Sequence, residues 1–180
     1  MQVHEAIEKV VTPELTIRNP VFRSFALTAG VLGLKMVANN LVVQTLRNMT
    51  NNFAYAEDRA LFPAFWNALS GGNYTRRTKP EDKPTLPQQS ELIPRLNAAA
   101  INDAVNVPIF LLLSFTWILV AKPSEETAAK VFGTFVASRL VHVFSFVARV
   151  QPFRVLSYLT GAGATGYVAG CLLKAVYYNS

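Results

Sequence analysis

Four ionisable side chains, Lys35, Asp103, Arg139 and His142, stand inside stretches of chain that are otherwise apolar enough to enter a bilayer. A charge at the centre of a membrane costs at least ~2.5 kcal/mol on insertion scales, so such groups face the interior of a helix bundle or a water-filled cavity. Asn102 and Asn106, four apart, share one helical face beside Asp103, and Arg139 and His142, three apart, share another. At a rise of ~1.5 Å per residue, Asp103 and His142 come to similar depths, with Arg139 about a turn deeper. Arg47, Arg95 and Arg154 stand near the ends of the apolar stretches and are expected to rim the same pocket, set between the first three stretches. Basic groups around one Asp and two Asn describe a site that accepts an anion, and a carboxylate-bearing ligand fits it. The same residues equally describe a closed network without a ligand, with Asp103 paired to Arg139 or Lys35 and the Asn amides bonding across helices. His142 has no second His, Cys or acid at ligand spacing, so no metal is expected. Cys171, the single cysteine, lies between Gly170 and Leu172 and reads as small packing.

The elements that must carry these groups follow from composition. Of the 180 residues, 51% are hydrophobic and 16% charged, against about 25% charged in soluble domains. The net charge is +6, but the 17 basic residues are scattered, which suits the flanks of membrane spans and gives no footprint for nucleic acid. Four stretches approach the ~20 apolar residues that a span needs: residues 22–47, 98–121, 126–149 and 153–178. The last two connections are a few residues each, so those neighbours pack antiparallel, giving an all-α integral membrane protein, a four-transmembrane-helix up-down bundle. Residues 1–20 form an N-terminal extension and 21–180 the membrane domain, with a long polar connection over 48–94. Within that connection the Pro-rich "TKPEDKPTLPQQS" predicts no continuous helix, and "RALFPAFWNALSGG" reads as an amphipathic piece in the headgroup region or a loop packed on the bundle's end. A small excess of basic residues places the first and third connections on the cytoplasmic or matrix side. In the fourth stretch, Ala162, Gly166 and Gly170 form a ladder of small residues that lets another helix approach closely, from this chain or a neighbouring subunit.

Three segments together resemble the MAPEG superfamily, and most closely its microsomal glutathione transferase branch. "VFRSFALTAGVLGLKMVANNLVVQTLRNMTNNFAYAED" is similar to that family's first span, and "INDAVN" stands where it has His-Leu-Asn-Asp-Leu-Glu-Asn. "FVASRLVHVFSF" followed by "QPFRVLSY" resembles Phe-Val-Gly-Ala-Arg-x-x-His-x-x-x-Tyr and Gln-Pro-x-Arg-x-Leu-Ser. The likeness covers residues 21–58 and 95–178. It implies a four-helix subunit that assembles into a trimer, in the endoplasmic reticulum or a mitochondrial membrane, with glutathione held between subunits. Arg47, Asn102, Asp103, Arg139, His142 and Arg154 match the family's motifs, with Arg154 in the place of the group that stabilises the glutathione thiolate. Other positions depart from the pattern. Arg-x-Arg-Arg-Ala-His becomes Arg95-Leu96-Asn97-Ala98-Ala99-Ala100, the Glu that would hold the glutathione ammonium is Val105, and the Tyr of the third span is Phe146.

Each charge-assisted hydrogen bond lost is worth roughly 1.5–3 kcal/mol, so several such losses lower glutathione affinity by powers of ten. The sequence therefore leaves two main functional classes open, beside a third, a lipid-binding regulator without glutathione chemistry. One is a non-catalytic member serving as a scaffold or accessory subunit of a membrane complex, its pocket empty or holding lipid headgroups. The other is an active glutathione transferase or peroxidase acting on lipophilic electrophiles, with Arg154 catalytic and Arg47, Arg95, Asn102, Asp103, Asn106, Arg139 and His142 lining the glutathione pocket. The expected partners are membrane lipids and either two further copies of the chain or the subunits of a larger complex.

Overall fold

A computed structural model describes residues 15–50, 52, 68 and 87–178. Most of the N-terminal extension and of the first connection, including the greater part of the Pro-rich and aromatic segments, lies outside the described residues; the last four residues of the Pro-rich segment, 87–90, open a helix. Those described form four helices: α1 (Pro20–Thr50), α2 (Pro87–Ala121), α3 (Glu125–Ala148) and α4 (Gln151–Tyr178).

The helix ends are set by local chemistry. Asn19 caps α1, its Oδ1 accepting from the backbone N–H groups of Val21 at 2.9 Å and Phe22 at 3.4 Å, with Pro20 in the first turn, where a missing N–H costs nothing. Ser124 caps α3 by accepting from Thr127 N at 3.3 Å, and Glu125 and Glu126 follow in the first turn, where the helix dipole favours negative charge. Two helices stop on left-handed residues that are not glycine, Lys122 with φ 45° and Arg149 with φ 62°. That conformation costs roughly 1–2 kcal/mol, partly offset by placing a cation at a helix C-terminus. The N–H of Val150 then returns to Ser145 O at 3.1 Å, closing α3 in a Schellman-type turn. The reversals leave only residues 122–124 between α2 and α3 and 149–150 between α3 and α4, so consecutive helices run antiparallel.

Helix α2 begins at Pro87, about three turns ahead of residue 98, where the second apolar stretch is expected to start. Pro87 occupies the first turn, but Pro94 lies inside the helix and removes an N–H, at a typical cost of ~3 kcal/mol. Ile93 and Leu96 outweigh it, because both are buried in a small cluster with Val43 and the flanking Leu46, and each such burial is worth about 1.5–3 kcal/mol. The polar composition around the prolines hid this short apolar face.

Contacts divide the chain into two compact units, Met1–Met36 with Ile101–Ser180, and Val37–Ala100. The core of the first is aromatic. Phe110 stacks on Phe135 with ring centroids 3.7 Å apart, Phe132 meets Phe110 edge-on at 6.2 Å and Trp117 at 6.1 Å, and Leu32, Val107 and Val168 fill around them. The opposite faces are just as apolar: Leu34 is 72% exposed, Leu112 70%, Phe144 68% and Leu173 73%. So much exposed aliphatic surface is what a lipid-facing exterior requires and what water does not tolerate. Pro20–Thr50, Glu91–Ala121 and Glu125–Ala148 are each long and apolar enough to cross a bilayer; α4 is also long, but glycine, threonine and tyrosine dilute it.

The small-residue ladder points elsewhere than the packed face of its own helix. The buried face of α4 is Ser157, Gly161, Ala164, Val168 and Leu172, whereas Ala162, Gly166 and Gly170 are exposed.

Candidate functional site

Helix α3 turns Ser138, Arg139, His142 and Ser145 onto its buried face, and Arg139 is completely enclosed, with 0% exposure. Its guanidinium is held on several sides. Nη1 donates to Asn102 Oδ1 at 2.9 Å, Nη2 to the Ser157 carbonyl at 3.3 Å and Nε to Ser138 Oγ at 3.3 Å. Its central carbon also lies 5.3 Å from the centroid of the Phe135 ring. The planar fork suits these three separate acceptors in a way that a lysine ammonium would not.

Lys35 Nζ bonds to Asp103 Oδ2, with the lysine side chain 10% and the aspartate 1% exposed. Of the two pairings expected for Asp103, Lys35 provides the direct one. A buried pair of this kind contributes little net stability, but leaving either member alone is expensive.

His142 Nδ1 lies 3.2 Å from both the Arg154 carbonyl and Ser157 Oγ. Because a carbonyl only accepts, Nδ1 carries the proton, and Ser157 Oγ donates to the same carbonyl at 3.0 Å. The ring meets Phe146 edge-on at 5.1 Å. Two buried polar atoms of this group, Asp103 Oδ1 and His142 Nε2, have no hydrogen-bond partner among the described residues.

The sequence placed the polar cluster between the first three spans, and the structure adds the fourth. Helix α4 supplies the Ser157 hydroxyl and carbonyl and the Arg154 carbonyl, because the two-residue connection folds it straight back along α3. Gly161 is the other contribution of α4: a Cβ built there would collide with Arg139 Nη2 and come 2.8 Å from Ser138 Oγ. The remaining candidates divide. Asn106 donates to the Asn102 carbonyl of its own helix at 2.7 Å and so is engaged locally. The Arg154 guanidinium lies over the Phe146 ring at 5.0 Å. Arg47 and Arg95 belong to the unit Val37–Ala100, where both are half-buried. Ser138, Ser157 and Gly161 carried no signal as site residues, since serine and glycine in apolar helices are common packing residues. Ser157 did stand within the quoted "QPFRVLSY". In the second unit Asn39, which interrupts the first apolar stretch, donates to the Leu96 carbonyl at 3.2 Å, and Leu96 itself packs in the cluster that holds α2 there.

Asn102 and Ser157, two of the residues bonded to Arg139, also stand in the family signatures, and a model of the MAPEG family matches residues 25–174. The chain belongs to the MAPEG family. It is 28% identical over 159 residues to human microsomal glutathione S-transferase 1, covering 88% of this chain and 92% of that one. As a MAPEG protein it is a multi-pass membrane protein built as a helical bundle. In this MAPEG chain the position of the motif's glutamate is Val105, 57% exposed on α2.

Proposed function

We propose that this MAPEG protein is non-catalytic and serves as a scaffold or accessory subunit of a membrane complex, in the endoplasmic reticulum or a mitochondrial membrane. The observation that carries this reading is the engagement of the cluster's polar groups with one another, Asp103 Oδ1 and His142 Nε2 being its only buried side-chain polar atoms without a partner among the described residues. Arg139 is enclosed by its own chain and bonded to Asn102, Ser138 and Ser157, while Asp103 is paired with Lys35. Groups engaged in this way cannot orient a ligand without first giving up hydrogen bonds worth about 1 kcal/mol each, and more where a charge is involved. The substitutions at Val105, Asn97 and Phe146 act in the same direction by removing a carboxylate, a guanidinium and a phenol hydroxyl. The exposed small-residue ladder of α4 supports assembly with another helix from outside the chain, either two further copies in a trimer or other subunits. Residues 1–20 and the enlarged 48–94 connection are then docking extensions of a membrane domain spanning 21–180.

A second reading, an active glutathione transferase or peroxidase, is favoured by the similarity to human microsomal glutathione S-transferase 1. It assigns glutathione to Arg47, Arg95, Asn102, Asp103, Asn106, Arg139 and His142, with Arg154 stabilising the thiolate. Turnover separates the two. Full-length protein in proteoliposomes, given glutathione and a lipophilic aryl halide or lipid hydroperoxide, is expected to show no rate above protein-free vesicles. A saturable rate abolished by Arg154→Ala would establish the enzyme.

A further inference from the structure

Far from the polar cluster, where α4 ends beside the α2–α3 reversal, a cavity of ≈ 350 Å³ combines hydroxyls, one cation and aromatic rings. Ser124, Thr127 and Lys174 line it together with Trp117, Tyr167 and Tyr178. Trp117 and Tyr167 meet edge-on with centroids 6.2 Å apart. Lys174 and Tyr178 also border a second cavity of ≈ 680 Å³, walled by Val120, Leu172, Leu173 and Val176. Both volumes fall in the ~300–1,000 Å³ range of small-molecule sites. Thirty-five positions along the sequence and about 20 Å along α3 separate this end from Arg139, at ~1.5 Å per residue.

The two cavities differ in chemistry in a directional way. The first offers an ammonium and two hydroxyls at the end of the bundle, among tryptophan and tyrosine, the residues that settle at the membrane–water boundary. The second is aliphatic and opens along the lipid-facing side of α4, where Leu173 is 73% and Val176 60% exposed. No carboxylate among the described residues pairs with Lys174; the nearby Glu126 is bonded to Lys130 at 2.6 Å. An amphiphile with an anionic head matches this order of charge, hydroxyl, aromatic collar and aliphatic trough. We infer that the paired cavities at the α2–α3 end hold one anionic phospholipid of the surrounding leaflet, its phosphate on Lys174, Ser124 and Thr127 and one acyl chain along Leu172, Leu173 and Val176. The Lys174 ammonium neutralises the phosphate, one hydroxyl of the Ser124–Thr127 pair, whose oxygens lie 2.8 Å apart, donates to a free phosphate oxygen while the other donates within the pair, and Tyr178 covers the junction between head and chain. This site is independent of the polar cluster and of whether the chain is an enzyme.

The chain has two tryptophans, so the variant Trp66→Phe leaves Trp117 as the single fluorescent reporter on the cavity wall. Full-length protein carrying this change is reconstituted in phosphatidylcholine vesicles doped with phosphatidylglycerol brominated on its acyl chains, or with phosphatidylcholine brominated in the same way. Quenching is expected at about five-fold lower mole fraction of the anionic lipid, the preference that one lysine near a membrane surface confers. That preference is expected to vanish in Lys174→Gln and to persist in Lys130→Gln, with circular dichroism confirming equal helicity. Equal quenching by the two lipids, or a preference that survives Lys174→Gln, overturns the assignment.

Discussion

Arg139 and residue 161 are mutually exclusive in size: the guanidinium occupies space on the face of α4 that exists only because position 161 is glycine. The nearest alternative, alanine, puts a methyl group onto Nη2. Overpacking of this kind costs about 1–3 kcal/mol, and here it also loosens the bonds from Arg139 to Ser157 and Asn102. Gly161→Ala is therefore expected to lower the thermal midpoint of the detergent-solubilised protein by several degrees. Gly163→Ala, with nothing within 4 Å of the added carbon, is expected to leave it unchanged. Equal midpoints for the two variants would show that Arg139 does not sit against α4.

The Lys35–Asp103 pair predicts strong non-additivity. Removing one member strands a charge that is almost wholly buried, so Lys35→Met or Asp103→Leu alone is expected to cost about 3–5 kcal/mol. The double variant is expected to recover most of that loss. A double-mutant cycle on unfolding in mixed detergent micelles measures it, and simple additivity would refute the direct pair.

The stacked pair at the centre of the first unit sets a further expectation. Phe110 and Phe135 are both 0% exposed, and replacing either by alanine is expected to cost about 3–5 kcal/mol. Phe144→Ala, on a face that is 68% exposed, is expected to cost far less in a bilayer, because a lipid-facing ring loses little when lipid fills its place. Denaturant titration of the three variants in bicelles gives the ranking, and a Phe144 cost equal to the others would mean that this face packs against protein.

Reversing the motif's departures tests whether the pocket is a reduced glutathione site. The double variant Val105→Glu with Asn97→Arg restores an acid and a base at the family's positions. The closed cluster predicts no measurable gain, whereas a recovered charge-assisted contact, worth roughly 1.5–3 kcal/mol, would raise glutathione affinity at least ten-fold and show a decayed site. No change would mean that the pocket is built differently from that of the relatives.

Helix number and the polar cluster were legible because both rest on strong signals: long apolar runs, and charges that lipid penalises. Arg139, His142 and Asp103 stood out on that ground alone, and the spacing of Arg139 and His142 put them on one face. The contribution of α4 was not legible, since Ser157 and Gly161 look like any packing residues until the two-residue turn at Arg149 and Val150 folds α4 back. Gly161 stands directly beside a small-residue ladder, Ala162, Gly166 and Gly170, that faces outward; helical phase separates them, and residue type does not. The extension of α2 ahead of its apolar stretch was not legible, because Pro94 carries a strong local penalty while the compensating contacts of Ile93 and Leu96 with Val43 are non-local.

The most direct test of a closed, non-catalytic cluster is isothermal titration of the purified, detergent-solubilised protein with glutathione, read beside thiolate absorbance near neutral pH. No saturable heat and no thiolate band at high millimolar glutathione is the predicted result. Micromolar-to-millimolar binding accompanied by thiolate formation would contradict it and put Arg154 first for mutation.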